Sequence, residues 1–227
     1  MRYAFFDLDD TLVDTETALH TWSLDFVAEY GLGGDEGGAG DEEAAALVVD
    51  RRVHGVDTWR EFADRVGEWY GIATPPEELF EELATTYTRK FTVAEEVTAG
   101  LTRLRAAGWL LGIVTNGMTV VQHGKIDHVG LREYVDVVID SEGAGYRKPD
   151  RRIFELAAAK LGVELGPAGW MVGDMLDKDV AGGIAAGLRT IWLPHGREIG
   201  AADPRPEHVA ATIGAAIAII EASGDVG

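Results

Sequence analysis

The sequence predicts an α/β fold in which a parallel sheet, covered by helices on both faces, is interrupted once by an all-helical insert. Three short apolar runs, at residues 3–6, 110–114 and 170–172, have the composition of strands that are buried on both faces. From residue 97 onward, strand-like and helix-like segments alternate with short connections. This alternation is typical of a parallel sheet with crossover helices.

The first strand is followed by a segment without strand-like runs, in which apolar residues recur at helical spacing. We assign residues 14–97 to this insert and predict its helices at residues 19–30, 41–53, 58–70 and 76–91. Residues 31–40 are rich in glycine and acidic residues. We interpret them as a connection between two helices and not as a phosphate-binding loop.

Residues 1–13 and 98–227 form the predicted core domain. After the insert, its further strands are predicted at residues 110–114, 134–139, 170–172 and 190–193. Its helices are predicted at residues 97–107, 120–129, 150–161, 178–186 and 207–222. No internal repeat is found.

Polar signals follow the apolar runs at four places in the chain. They are Asp7-Leu-Asp-Asp-Thr11, Thr115-Asn-Gly117, Lys148-Pro-Asp150 and the Gly173-Asp174 pair with Asp179. In open α/β sheets, ligands bind at the carboxyl ends of the strands, so these signals should converge on one crevice. Their acidic, hydroxyl and lysine side chains together indicate a phosphoryl-transfer site.

The charge and composition exclude several classes of function. A formal charge of −19, from 39 acidic and 20 basic residues, repels nucleic acid backbones and anionic lipid surfaces. We therefore expect neither a nucleic acid polymer nor a membrane as a partner. The absence of cysteine excludes disulfides, thiolate metal sites and a cysteine nucleophile.

Because the acidic cluster at Asp7 lies so near the first residue, we expect no signal peptide, and the apolar stretch at residues 210–220 is too short to span a bilayer. We expect a cytoplasmic protein that is a monomer or a homodimer.

Asp7 and Asp9 are the first candidates for catalysis. They lie two residues apart at the end of a strand, so an extended backbone points both carboxylates to the same side. In such a pair, one carboxylate can act as a nucleophile while the other handles the proton of the leaving group.

In this order and spacing, the signals resemble those of the haloacid dehalogenase superfamily, and in particular its phosphatases. Asp7, Asp9 and Thr11 match the Asp-x-Asp-x-Thr signature, and Thr115 matches the threonine after a second strand. Residues 145–149 match Gly-x-x-Lys-Pro, and residues 173–179 match Gly-Asp-x-x-x-x-Asp. The resemblance implies a three-layer Rossmann-like core with an inserted all-helical cap domain, residues 14–97, that determines substrate specificity.

By this resemblance, Asp7 attacks phosphorus and forms an aspartyl-phosphate, and Asp9 acts as the general acid and base. Mg²⁺ would be held by Asp7, by the backbone carbonyl of Asp9 and by Asp174. The remaining implied roles are phosphate binding by Thr115, Asn116 and Lys148, placement of Asp9 by Thr11, and orientation of a metal ligand by Asp179. Amide groups of Asn116 and Gly117 are further candidate donors to the phosphoryl group.

The resemblance makes a small phosphorylated metabolite the expected substrate and leaves other reactions open. A haloacid dehalogenase is disfavoured by Asp9, because a departing halide needs no proton. A phosphomutase, which returns the phosphoryl group to its substrate, is not excluded. A phospho-acceptor signalling domain is disfavoured by chain length and by the insert, which holds no aspartate after a convincing strand. Lys178, where many relatives have asparagine, is expected to face solvent.

Overall fold

The chain folds into two compact units. The computed structural model describes residues 1–33 and 39–224. One unit, here called the sheet unit, comprises Met1–Asp14 and Val93–Gly227, and the other, the helical unit, comprises Thr15–Thr92. The helical unit therefore ends five residues before the boundary expected at residue 97.

In its described residues, the sheet unit is built on six parallel strands in the order β3-β2-β1-β4-β5-β6. The strands are β1 Tyr3–Phe6, β2 Leu110–Thr115, β3 Val137–Asp140, β4 Gly169–Gly173, β5 Arg189–Trp192 and β6 His208–Val209. In the register of the sheet, Tyr3 lies opposite Leu110 on one side and Gly169 on the other. Strand β1, whose four residues are fully buried, thus lies between β2 and β4.

The helical unit contains four helices in its described residues: α1 Thr15–Tyr30, α2 Ala39–His54, α3 Trp59–Tyr70 and α4 Pro76–Thr88. Thr58 caps α3, because its hydroxyl accepts the backbone N–H of Glu61 at 3.1 Å. Gly71 ends the same helix with φ +69°, a conformation that glycine adopts without strain. Local signals in the sequence thus fix both ends of α3.

Aromatic rings form the core of the helical unit. Trp22 packs edge-on against Trp59 with ring centroids 4.8 Å apart, and Trp59 also contacts Tyr87 at 4.4 Å. Phe26 and Phe62 extend this cluster, and all five side chains are buried. Such ring pairs each add about 0.5–1.5 kcal/mol beyond the burial of their area.

The helices of the sheet unit cover both faces of the sheet. They are α5 Glu95–Ala106, α6 Thr119–His128, α7 Ser141–Ala144, α8 Arg151–Leu161, α9 Ala181–Ala186 and α10 Ile213–Gly224. Helix α8 packs on β2 and β3 through Ile153 and Phe154, and α5 packs against α10. This α/β architecture confirms the predicted fold class.

Several predicted elements were wrong in their bounds. Helix α1 begins at Thr15 instead of residue 19, α4 ends at Thr88 instead of residue 91, and a π-helical turn at Leu176–Val180 precedes α9. The helix expected from residue 207 begins only at Ile213, because His208–Val209 pairs with β5 as the edge strand β6. The strand expected from residue 134 begins at Val137, after a 3-10 turn at Leu131–Tyr134. Residues 34–38 of the predicted glycine-rich connection lie outside the described residues.

Helix α10 is strongly apolar, and it is only 12 residues long. Ile213, Ala216, Ile217 and Ile220 are buried on one side of it. No helix within residues 1–33 and 39–224 has the length and apolar character needed to cross a membrane.

Candidate active site

Three neighbouring strands bring the predicted site residues to one edge of the sheet. Asp7 follows β1, Thr115 ends β2, and Asp174 follows β4. They line a cleft of about 180 Å³ at this edge. The residues that line the cleft are Asp7, Asp9, Asp10, Thr115, Asn116, Lys148, Asp174, Met175 and Lys178.

A tight turn holds the aspartates after β1. The backbone N–H groups of Leu12 and Val13 both donate to the carbonyl of Leu8, at 2.9 and 3.1 Å. These three apolar side chains are buried, which anchors the turn, whereas Asp10 adopts a left-handed φ of +54°. Asp7 is fixed to the sheet, since its N–H donates to the carbonyl of Val172 at 2.9 Å.

Lys148 lies between two buried carboxylates. Its Nζ is 2.8 Å from Oδ1 of Asp7 and 2.7 Å from Oδ1 of Asp179, and all three side chains are buried. Burial opposes the charge of Lys148, but these two carboxylates raise its pKa above the ordinary value. The lysine is therefore held as an ammonium ion beside the predicted nucleophile.

Burial raises the pKa of Asp7 from 3.8 to about 7. The charge of Lys148 works against this rise, whereas the charges of Asp179 and Asp9 add to it. Without a metal ion, the carboxyl group of Asp7 thus titrates near neutral pH.

This shift predicts a stability that depends on pH in metal-free protein. Between pH 3.8 and about pH 7, folded Asp7 binds more protons than unfolded Asp7, so the free energy of unfolding falls as the pH rises. We expect a decline of up to a few kcal/mol relative to Asp7→Asn, levelling off above about pH 7. Urea unfolding of both proteins in EDTA, from about pH 5 to about pH 8, measures it. Parallel pH dependences of the two proteins would contradict this expectation.

Three buried carboxylates could hold a metal ion. Asp7, Asp174 and Asp179 each offer an oxygen, and these oxygens lie within 4.8 Å of one another. Burial raises the pKa of Asp174, although Arg197, whose Nη2 lies 2.9 Å from Oδ2 of Asp174, opposes the rise. The side chain of Asp9 is not part of this cluster, which is compatible with the expectation that only its backbone carbonyl binds metal.

Gly173 leaves room for the carboxyl group of Asp179. A Cβ on Gly173 would lie 2.3 Å from Cγ and Oδ2 of Asp179, which also accepts the N–H of Met175 at 2.9 Å. We expect Gly173→Ala to displace Asp179 from Lys148 and to lower the free energy of unfolding by about 1–3 kcal/mol. Urea unfolding measures this loss.

The matched control is Gly166→Ala, since a Cβ on Gly166 has no atom within 4 Å. Equal stability of the two alanine variants would show that Gly173 is not needed for space.

Thr115 and Asn116 are held by side-chain contacts. Oγ1 of Thr115 accepts from Nε2 of Gln122 at 2.7 Å. The amide of Asn116 donates to the carbonyl of Lys148 at 3.0 Å and accepts its N–H at 2.8 Å. The side chain of Asn116 thus positions Lys148. The amide of Gly117, expected to be a phosphate donor, instead donates to Oγ of Ser141 at 3.0 Å.

Two residues of α6 contact Asp9, and neither was predicted. Nζ of Lys125 lies 2.6 Å from Oδ1 of Asp9, and Nε2 of Gln122 donates to Oδ2 at 2.9 Å. The sequence indicates these contacts only weakly. It places a lysine and a glutamine three residues apart, and so on one face, in a helix that also has the apolar residues Val121 and Ile126.

Lys178 and Thr11 complete the predicted set. Lys178 is partly buried and lines the cleft, so the expectation that it faces solvent was wrong. The side chain of Thr11 is buried in the turn, and its hydroxyl has no hydrogen-bond partner among the described residues.

Residues 1–187 match a family model described as haloacid dehalogenase-like hydrolase. The chain is 30% identical to pyrimidine 5'-nucleotidase YjjG of Escherichia coli over 92% of this chain and 91% of that protein. It is 31% identical to glyceraldehyde 3-phosphate phosphatase of Pyrococcus abyssi over 87% and 83% of the two chains. Its fold is similar to the crystal structure of a HAD phosphatase from Thermococcus onnurineus, with a TM-score of 0.68, 26% identity and coverage of 97% and 98%.

Proposed function

Because this chain belongs to the haloacid dehalogenase-like hydrolases, we propose that it is a phosphatase that hydrolyses a small phosphomonoester with Mg²⁺ as cofactor and an aspartyl-phosphate as intermediate. The observation that carries the proposal is that Asp7 and Asp9 line one cleft with Lys148, Thr115 and Asp174. A second carboxyl group beside the nucleophile favours an alcohol as leaving group, because an alkoxide needs a proton and a halide does not.

In the first step, a carboxylate oxygen of Asp7 attacks phosphorus as the bond from phosphorus to the alcohol oxygen breaks. Asp9 gives its proton to that oxygen. In the second step, Asp9 takes a proton from water as the water oxygen attacks phosphorus. The bond from phosphorus to Asp7 then breaks, which releases inorganic phosphate and restores the carboxylate.

Lys148 and Thr115 act on the phosphoryl group. The ammonium of Lys148, 2.8 Å from Asp7, offsets the charge that the nucleophile and the phosphoryl oxygens bring together. The hydroxyl of Thr115, at the end of β2, donates to a phosphoryl oxygen. Both groups are buried in the folded protein, so they need little rearrangement when substrate binds.

The donor set of the cluster fits Mg²⁺, which prefers carboxylate, carbonyl and water oxygens. Burial raises the pKa of both Asp7 and Asp174, and neighbouring carboxylates add to the rise, whereas Lys148 and Arg197 oppose it. We propose that Asp7, the carbonyl of Asp9 and Asp174 hold the ion, with Asp179 beside them. When bound, Mg²⁺ would reduce the repulsion between the carboxylate and the phosphate dianion.

We assign the choice of substrate to the helical unit, Thr15–Thr92. The relatives named above act on a nucleotide and on a triose phosphate, both small phosphorylated metabolites. Several arginines of this unit are held within it: Arg52 lies over the ring of Trp59, and Arg60 pairs with Glu77 at 2.5 Å. Exchanging this unit for that of the E. coli relative should change the rank order of substrates.

The proposal is tested by phosphate release from a panel of nucleoside monophosphates, sugar phosphates and triose phosphates, with Mg²⁺ and with EDTA. We expect turnover of at least one ester that requires Mg²⁺. Release of halide from 2-haloacids is measured in parallel. Halide release without phosphate release, from folded and metal-loaded protein, would contradict the proposal.

A further inference from the structure

Helix α6 presents two buried polar side chains to the predicted acid–base residue. Gln122 and Lys125 are three residues apart, so they share one face of the helix, and they are only 2% and 3% exposed. Lys125 contacts Oδ1 of Asp9 at 2.6 Å, and Gln122 contacts Oδ2 at 2.9 Å. Both oxygens of Asp9 are thus held from the same helix.

Such contacts restrict the carboxyl group more than either one would alone. A carboxyl group held at one oxygen can still rotate about that contact, whereas donors at both oxygens fix its plane. The side chain of Asp9 remains 28% exposed and lines the cleft, so it is accessible to a bound ester. Proton transfer depends on this placement, because a general acid must lie within hydrogen-bond reach of the leaving oxygen.

Gln122 also sets the direction of the Thr115 hydroxyl. Its Nε2 carries two hydrogens, one directed to Asp9 and the other to Oγ1 of Thr115 at 2.7 Å. Since the amide nitrogen is a donor, Oγ1 must accept in this contact. The hydroxyl hydrogen of Thr115 is then free to point to another acceptor, such as a phosphoryl oxygen.

The backbone below Gln122 is shaped to admit this side chain. A Cβ on Gly117 would lie 2.7 Å from Cγ and Cδ of Gln122. Glycine at this position therefore allows the amide to reach both Asp9 and Thr115.

We propose that Gln122 and Lys125 are positioning residues: Lys125 and Gln122 fix the carboxyl group of Asp9 for proton transfer, and Gln122 makes Thr115 a phosphate donor. The inference rests on the proposed phosphatase function. Two positioning residues differ from a merely structural ion pair in one respect. Their loss should slow departure of a leaving group that needs a proton more than departure of one that needs none.

The test compares two leaving groups in metal-loaded full-length protein. Glycerol 3-phosphate releases an alkoxide that needs a proton, whereas 4-nitrophenyl phosphate releases a phenolate that needs none. We expect Lys125→Met to lower kcat/KM, which covers only the steps up to departure of the leaving group, by about 10- to 100-fold for glycerol 3-phosphate and by about threefold or less for 4-nitrophenyl phosphate. Lys125→Arg should restore part of the loss, and Lys160→Met, on the exposed side of α8, is the matched control.

Two further variants complete the design. Asp9→Asn should likewise lose more activity on glycerol 3-phosphate than on 4-nitrophenyl phosphate. Adding Lys125→Met to Asp9→Asn should cause little further loss of activity. Gln122→Leu should also raise the inhibition constant of inorganic phosphate, by about threefold or more, which Lys125→Met should not do. If Lys125→Met fails to fold, Gln122→Leu provides the comparison of leaving groups.

Equal losses on both substrates, or a full additional loss in the double variant, would overturn the inference and leave the proposed function intact. Absence of phosphate release by the wild-type protein from these two substrates and from every ester of the panel would overturn the proposed function and the inference with it.

Discussion

Asp7→Asn is expected to lower phosphate release by at least about 10³-fold, because the variant lacks the oxygen nucleophile that forms the intermediate. The fold should be retained. The replacement removes a buried carboxyl group whose pKa burial raises to about 7, and Lys148 keeps its contact with Asp179 at 2.7 Å. Steady-state kinetics with the best ester of the panel, together with thermal unfolding, measures both outcomes.

Asp177→Asn is the matched control for this variant. It makes the same chemical change at an exposed carboxylate that does not line the cleft. We expect activity within about twofold of the wild-type protein, as for most surface substitutions. If Asp7→Asn kept more than about a tenth of the activity, Asp7 would not be the nucleophile.

Lys148→Met should lower activity by the second-largest factor, after Asp7→Asn, and should also lower stability. Methionine has a similar length but no charge, so it leaves Asp7 and Asp179 buried without their shared cation. Breaking a buried ion pair from one side costs about 3–5 kcal/mol. Loss of the ammonium beside the reacting phosphoryl group should also lower kcat by about 10²-fold or more. Urea unfolding in EDTA and kinetics in Mg²⁺ measure the two effects.

The double variant Lys148→Met with Asp179→Asn separates charge from packing. It removes one of the two carboxylates that the single variant leaves unpaired, so we expect it to be more stable than Lys148→Met alone. Lys160→Met, at an exposed position, should leave stability within about 0.5 kcal/mol of the wild-type value. A double variant that is no more stable than the single one would show that the loss comes from packing.

The strands next to the site could be predicted because their composition leaves few alternatives. The runs at β1, β2 and β4 are short, apolar and buried on both faces. Continuous apolar runs of this length are typical of buried strands and are too short for a helix. The edge strand β6 could not be predicted, because two residues carry no periodicity. His208–Val209 is a strand only because β5 pairs with it, and the apolar residues after it made the whole segment look helical.

The sequence predicted that Asp7, Thr115 and Asp174 meet at one cleft, because each lies at the end of a parallel strand and such strands place their carboxyl ends at the same edge of the sheet. Contacts made by packing could not be anticipated in the same way. Arg197, in the loop after β5, reaches Asp174, and two side chains of α6 reach Asp9. A lysine on a helix is usually solvated, and only the position of α6 beside the turn buries Lys125.

The most direct test of the central claim is to trap the intermediate on Asp7. Metal-loaded protein is mixed with its best phosphomonoester, quenched in acid during the first turnover, digested and measured by mass spectrometry. We predict one phosphoryl group on the peptide that contains Asp7, removed by hydroxylamine as an acyl phosphate should be, and absent from Asp7→Asn. A phosphoryl group on another residue, or turnover without any phosphorylated Asp7, would contradict the mechanism.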